Sequence, residues 1–346
     1  MAIPYRTRRF FKNFLTAILV LALFAALALL LWLLWLDRYV VYSQNGAHLD
    51  FSQNVQYAPG VSPVEPEPLP TVTVHNKTEE NQTEEISTEL ARFSGYFVTL
   101  ERLTAEFDAV MTQLKALPEG STVMLQLKDV RSYVYYTSEI GKENPNFDTA
   151  LVDALVDALR DQGHYVIAQI PSFQEYYYIM ENERERVPFG LPKAGGNGSL
   201  WLDSDGPCYW MNPASDGTLT HLIQLVTELR SIGFNEVVFA DFRFPNTDKI
   251  RFDGDRLEAL NAAAAMLVKT CATEKFCVSF TRTTPDLTLP EGRTRLYLTG
   301  VSGADIAETA GAAALGNVTA QLVFLTDSGD TRFDDYCVLR PLESAH

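Results

Sequence analysis

The sequence predicts an α/β fold, a (β/α)8 TIM-type barrel preceded by a single transmembrane helix. Three observations predict it. A continuous apolar run fills residues 14–36. Beyond Ser94 a unit of apolar strand, polar turn, amphipathic helix and glycine recurs three times. Eight strand candidates fall within roughly 250 residues, the size of one such barrel.

The N-terminal run contains Leu, Ala, Ile, Val, Phe and Trp, with Thr16 its one polar interruption. As a helix, about 23 residues span about 30 Å of hydrocarbon. Arg6, Arg8, Arg9 and Lys12 precede it, while Arg38 follows beside Asp37, so residues 1–13 are expected to be a cytoplasmic basic tail. Trp32 and Trp35 suit the outer interface. A cleavable signal peptide is the competing reading, but this run exceeds the usual apolar length and no small-x-small site follows Leu36. The expected location is the cell membrane, single-pass, with the C-terminal domain extracellular.

Residues 37–90 carry Pro59, Pro63, Pro66, Pro68 and Pro70 and then a polar, acidic stretch, the composition of a disordered tether. The barrel is expected over residues 91–346. None of the 44 Asp and Glu precedes Asp37, whereas four of the 28 Lys and Arg do; 24 basic against 44 acidic groups leave a net of −20 beyond the run. That balance disfavours nucleic acid, which needs a basic face.

Within the barrel, the first helix places Leu103, Phe107, Val110, Met111 and Leu114 on one face and stops near Pro118 and Gly120. The second aligns Leu151, Val152, Leu155, Val156 and Leu159 and ends at Gly163. The third aligns Leu222, Ile223, Val226 and Leu229 and ends at Gly233. Both glycines stand where a left-handed cap turns the chain back toward a strand. The strand candidates are Tyr96–Leu100, Met124–Leu127, Tyr165–Ala168, Val237–Phe239, Cys277–Phe280, Arg295–Leu298, Leu322–Leu325 and Tyr336–Leu339, with a further helix from about Asp255 to Thr270. No GxGxxG follows a strand, which removes support from a dinucleotide-binding open sheet. Cys208, Cys271, Cys277 and Cys337 form no CxxC, and no histidines pair at ligand spacing, so neither metal nor cofactor is expected. Outside the cell the four could pair, with Cys271–Cys277 and Cys208–Cys337 as one option.

Barrels of this type place function at the C-terminal ends of their strands. There stand Lys128 and Asp129 after the second strand, Ser172, Gln174 and Glu175 after the third, and Asp241 with Arg243 after the fourth. An excursion over residues 178–212 supplies Trp201, Asp203, Trp210 and Asn212. Carboxylates near aromatic rings suit sugar chemistry, because glycoside hydrolysis uses two carboxyl groups and sugar faces stack on Trp or Tyr. Asp241 with Arg243 reads equally as a catalytic acid with an orienting partner and as an ion pair fastening a loop.

Phe234 to Pro245, reading Phe-Asn-Glu-Val-Val-Phe-Ala-Asp-Phe-Arg-Phe-Pro, resembles the strand motif of the "putative glycosyl hydrolase domain" family of TIM barrels. Val123–Asp129, Tyr165–Phe173, Trp201-Leu202-Asp203 and Trp210-Met211-Asn212-Pro213 resemble its other elements in the same order, and the likeness runs over about residues 93–282. The resemblance implies glycoside-hydrolase ancestry, with Asp241 and Asp129 as the carboxylate pair, Lys128 and Arg243 orienting them, and Trp201, Asp203, Trp210, Asn212 and Glu175 shaping the substrate site. The expected ligand is a cell-wall or extracellular polysaccharide. Three departures stand out. The family motif has Asp directly after Phe where this chain has Ala240, with Asp241 one place later; Gln126 replaces a common Asp, and Gln169 a common Arg. A shift of one residue turns a strand side chain to the other face unless a bulge corrects it. These losses of proton-transfer groups imply the alternative of a catalytically inactive glycan-binding or scaffold barrel.

Overall fold

Short, mostly buried and mostly apolar runs build the centre of the domain as eight strands. They are β1 (Ser94–Val98), β2 (Thr122–Gln126), β3 (Tyr165–Pro171), β4 (Glu236–Ala240), β5 (Cys277–Arg282), β6 (Leu296–Thr299), β7 (Leu322–Leu325) and β8 (Cys337–Pro341). Each pairs in parallel with the next in chain order, and β8 pairs with β1, so the sheet closes into the barrel that the strand count predicts. The structure is a computed structural model and describes residues 40–43, 46–49, 90–181, 189–196, 198–203 and 208–342.

The expected transmembrane run, residues 14–36, and most of the expected tether lie outside the described residues. Among the described residues no helix is long and apolar enough to cross a membrane. Within the region expected to be a tether, Val40–Ser43 pairs antiparallel with Gly46–Leu49, a hairpin favoured by the β-branched and aromatic residues Val40, Val41 and Tyr42. The chain divides into two units, Met1–Asn81 and Gln82–His346, and the barrel belongs to the second.

Helices α1 (Leu100–Ala105), α2 (Phe107–Lys115), α3 (Ala150–Asp161), α4 (Asp216–Ile232), α5 (Arg256–Cys271), α6 (Ile306–Ala312) and α7 (Val318–Gln321) fill the crossovers. The first predicted helix is two: Glu106, at φ −130°, breaks it, and Leu103 on one piece and Val110 and Leu114 on the other are all buried. Gly163 at φ 72° and Gly233 at φ 113° take the left-handed conformation their positions predict. Asp255 caps α5 by accepting the Glu258 N–H at 2.8 Å.

Alternation along the strands sorts the core in two. Leu125, Ala168, Val237, Phe239, Val278 and Phe280 face the helices, while Met124, Ile167, Val238, Tyr297, Val323 and Leu339 fill the barrel interior. At the N-terminal end of that interior sits a polar plug. Fully buried Glu236 takes hydrogen bonds on one oxygen from Ser279 Oγ and Tyr297 Oη, and on the other from Tyr165 Oη and Arg295 Nη1. Arg295 also donates to the Ala320 carbonyl at 3.0 Å and the Ala91 carbonyl at 3.3 Å, and its guanidinium lies over the Phe93 ring, so the plug grips the chain as it enters β1. All four cysteines are buried as free thiols, and the pairings Cys271–Cys277 and Cys208–Cys337 are not formed. Burial pushes the Cys277 thiol up to about 12 and that of Cys208 up to about 11, which keeps both protonated and unreactive.

Replacing one member of a buried ion pair strands the other. Glu236→Gln preserves the shape but leaves Arg295 without its counter-charge, and is expected to lower unfolding stability by about 3–5 kcal/mol. Urea unfolding measures this; a loss below about 1 kcal/mol would contradict the plug as a structural keystone.

Candidate functional site

Strand alternation decides which side chains face the barrel mouth. Gln126 shares the inward face of Met124, Gln169 that of Ile167, and Ala240 that of Glu236 and Val238. Gln126 and Gln169 are register partners and bond directly, Gln126 Nε2 donating to Gln169 Oε1 at 2.8 Å, while Gln126 Oε1 accepts the Leu100 N–H at 2.9 Å. An uncharged amide pair therefore stands where the family resemblance implies an Asp and an Arg. Thr281, on the same face of β5 as Ser279, continues this uncharged rim.

Asp241 follows Ala240 with φ 49°, a left-handed conformation that is unusual for a residue other than glycine and that Asp tolerates better than most. The turn is pinned through its carbonyl, which accepts the Ser172 hydroxyl at 2.8 Å and the Arg243 N–H at 2.7 Å. The Asp241 side chain is 51% exposed and its Oδ1 lies 3.8 Å from Arg243 Nε. Arg243 lies over the Trp210 ring at 5.1 Å, and Trp210 Nε1 donates to Asp203 Oδ2 at 3.3 Å. The structure thus joins Asp203, Trp210, Arg243 and Asp241 in one cluster. A two-stranded ribbon of Gln174–Glu175 with Tyr209–Trp210 sets the position of Trp210.

The other expected site residues serve the loops. Asp129 uses Oδ1 to accept the Arg131 and Tyr133 N–H groups at 2.9 Å each, which closes the turn after β2. Burial raises its pKa, outweighing those two bonds and the charge of Lys128. Lys128 and Glu175 form a buried ion pair, and His221 Nε2 lies 3.4 Å from the same Glu175 oxygen, with Tyr178 stacked on its ring at 3.6 Å. Burial would raise the Glu175 pKa, but Lys128 and His221 outweigh it and bring it down to about 2. Asn212 Oδ1 accepts the Ala214 N–H at 3.0 Å ahead of α4. Trp210 is 1% exposed, and Trp201 is packed against the core. Lys128, Glu175 and Trp210 are therefore buried, whereas Trp201 and Asn212 are half-buried, Asn212 with its Oδ1 on a backbone N–H. Asp129 is anchored to its own turn through Oδ1.

Sequence reasoning assigned no role to His221, which proves part of the Glu175 network. Its place on the buried face of α4, three residues after Thr218 and four before Leu225, was the available signal.

A profile of the "putative glycosyl hydrolase domain" family matches residues 95–276, just over half of the chain. No curated protein matches it. Among solved structures, a hypothetical protein from Ruminiclostridium thermocellum aligns at TM-score 0.45 and 19% identity, covering 54% of this chain and 96% of that one. The glycoside hydrolase domain of PelA from Pseudomonas aeruginosa aligns at TM-score 0.46 and 16% identity, covering 72% and 96%. The GH20 exo-β-N-acetylglucosaminidase of Vibrio harveyi aligns at TM-score 0.47 and 12% identity over 68% of this chain, which spans 41% of that enzyme.

Glu175 gives the site a pH signature. Its folded pKa lies below the unfolded value of 4.5, so its stabilisation is fully present above about pH 4.5 and is lost as pH falls toward 2. That loss is expected to reach roughly 3 kcal/mol. The difference in urea stability between the native chain and Glu175→Gln should shrink across this window; a constant difference would contradict the assignment.

Proposed function

The chain belongs to the "putative glycosyl hydrolase domain" family, and from that membership and the geometry of the mouth we propose that it binds a cell-wall or extracellular polysaccharide without cleaving it. The observation that carries this reading is the set of inward positions at the C-terminal ends of β2, β3, β4 and β5: Gln126, Gln169, Ala240 and Thr281. Glycoside hydrolysis in most families needs two carboxyl groups flanking the bond, about 5–5.5 Å apart for retention or 6.5–9.5 Å for inversion. Of the expected pair, Asp129 is committed to its turn and Asp241 sits one residue past the inward position. What remains is a mouth rich in amide and hydroxyl groups, which donate and accept hydrogen bonds as sugar hydroxyls require.

The half-exposed Asp241 with Arg243 beside it is the observation that favours a hydrolase instead. An acid in that position still lacks a second free carboxylate among the described inward-facing residues of these four strands, so binding is the stronger reading. The apolar run at 14–36 and the basic residues before it support display of the barrel outside the cell, tethered through residues 37–90.

The full-length chain in detergent micelles, titrated calorimetrically with a panel of wall polysaccharide fragments, should bind at least one saturably. Arg243→Ala is expected to weaken that binding about tenfold, the loss of roughly 1.4 kcal/mol. Absence of binding across the panel would remove the proposal. Display outside the cell is tested separately: protease added to intact cells should degrade the barrel, and protection until lysis would overturn the topology.

A further inference from the structure

Beside the β4 and β5 ends of the mouth lies a groove of about 540 Å³ lined by Arg243, Arg256 and Arg282 and by Phe244, Leu257 and Asp286 among others. Three guanidiniums in one groove run against a chain whose net charge is −16. Asp286 is the one carboxylate in its lining, and Arg282 consumes it. Arg282 Nη2 reaches Asp286 Oδ1 at 2.5 Å and Oδ2 at 2.6 Å, and Nε reaches Oδ1 at 3.0 Å, while Thr284 Oγ1 donates to Oδ1 at 2.9 Å. Burial would raise the Asp286 pKa, but the bonds from Arg282 and Thr284 outweigh it, so this carboxylate stays ionised and matched to Arg282.

Arg243 and Arg256 are left without an equivalent partner. Arg256 donates from Nη1 and Nη2 to one carbonyl, that of Thr247, at 3.2 Å each, and lies over the Phe244 ring at 5.8 Å. Arg243 is held by the Phe244 carbonyl at 3.2 Å and the Trp210 ring, with Asp241 no closer than 3.8 Å. Each guanidinium is thus fixed by a ring and a carbonyl while retaining N–H donors for a ligand, since the group carries five. Asp255, next to Arg256, caps α5 through its Oδ1. Planar, oriented guanidiniums recognise carboxylate and phosphate oxygens in pairs.

We propose that this groove receives the acidic group of an anionic saccharide polymer, a carboxylate or a phosphodiester, with Arg243 and Arg256 as its anion-binding pair and the Phe244–Leu257 side as an apolar floor. This rests on the reading of the barrel as a glycan-binding protein and specifies the chemistry of its ligand. Arg282, neutralised by Asp286, holds the β5 side of the groove in place.

The full-length chain in detergent micelles would be titrated with trigalacturonate, with oligo(glycerol phosphate), with the carboxyl-reduced neutral trisaccharide and with inorganic phosphate. At least one acidic oligomer should bind about tenfold or more tightly than the neutral sugar. That preference should fall about tenfold in Arg256→Gln, an exposed substitution that spares the core, and should weaken with added salt. Preference for one acidic oligomer over the other identifies the source of the anion. Neutral sugar bound as tightly as its acidic parent, or acidic binding unchanged in Arg256→Gln, would overturn the anionic assignment and leave the glycan reading intact. Arg256-dependent phosphate binding without binding of any saccharide would leave Arg256 as an anion ligand but overturn the saccharide assignment together with the glycan reading.

Discussion

Strict alternation of side chains around a closed parallel barrel is the constraint on which the rest of this structure depends. Because every strand pairs on both sides, each alternate side chain is enclosed, and one position decides whether a group meets the interior, the helices or the mouth. Glu236, Val238 and Ala240 lie on the inward face of β4, and their order from plug to apolar packing to mouth repeats the axis of the barrel. The same rule makes a one-residue displacement of a carboxylate consequential: Asp241 leaves the strand through a left-handed turn, and the inward place is held by a methyl group.

Electrostatics divide along that axis. At the N-terminal end a buried carboxylate and guanidinium satisfy each other together with two tyrosines and a serine, an arrangement that fixes register between β3, β4, β5 and β6. Beside the β2 and β3 exits, Lys128, Glu175 and His221 form a second buried network that braces loops. Cost is high for either network if one member is lost, because desolvated charge without a partner is penalised heavily. At the mouth Gln126, Gln169 and Thr281 present amides and a hydroxyl around Ala240, and to one side lies the groove lined by Arg243, Arg256 and Arg282.

Much of the barrel was legible in the sequence because buried parallel strands read as short apolar runs and because Gly163 and Gly233 punctuate the returns. All eight strand candidates lie on or against the observed strands. The break at Glu106 was not legible, since the apolar spacing from Leu103 to Leu114 continues through it. Partnerships across the fold were hidden for a different reason. Glu236 and Arg295 are brought together by closure of the sheet, and Lys128, Glu175 and His221 by three separate elements, so local periodicity carries no trace of them. Two opposite charges heading otherwise apolar strands were the one available hint of the plug. At the site, sequence position brought Asp241 and Arg243 to the right end of the barrel, but it could not show that Trp210 lies beneath Arg243, or that Asp129 folds back on its own turn.

The most direct measurement is product analysis by mass spectrometry after prolonged incubation of the full-length chain with the wall polysaccharide it binds. A barrel whose mouth carries Gln126 and Ala240 in place of acids, and Gln169 in place of an Arg, should leave the polymer intact, with no new reducing ends. Fragments that accumulate with the native chain and vanish with Asp241→Asn would contradict the account and make Asp241 a catalytic acid.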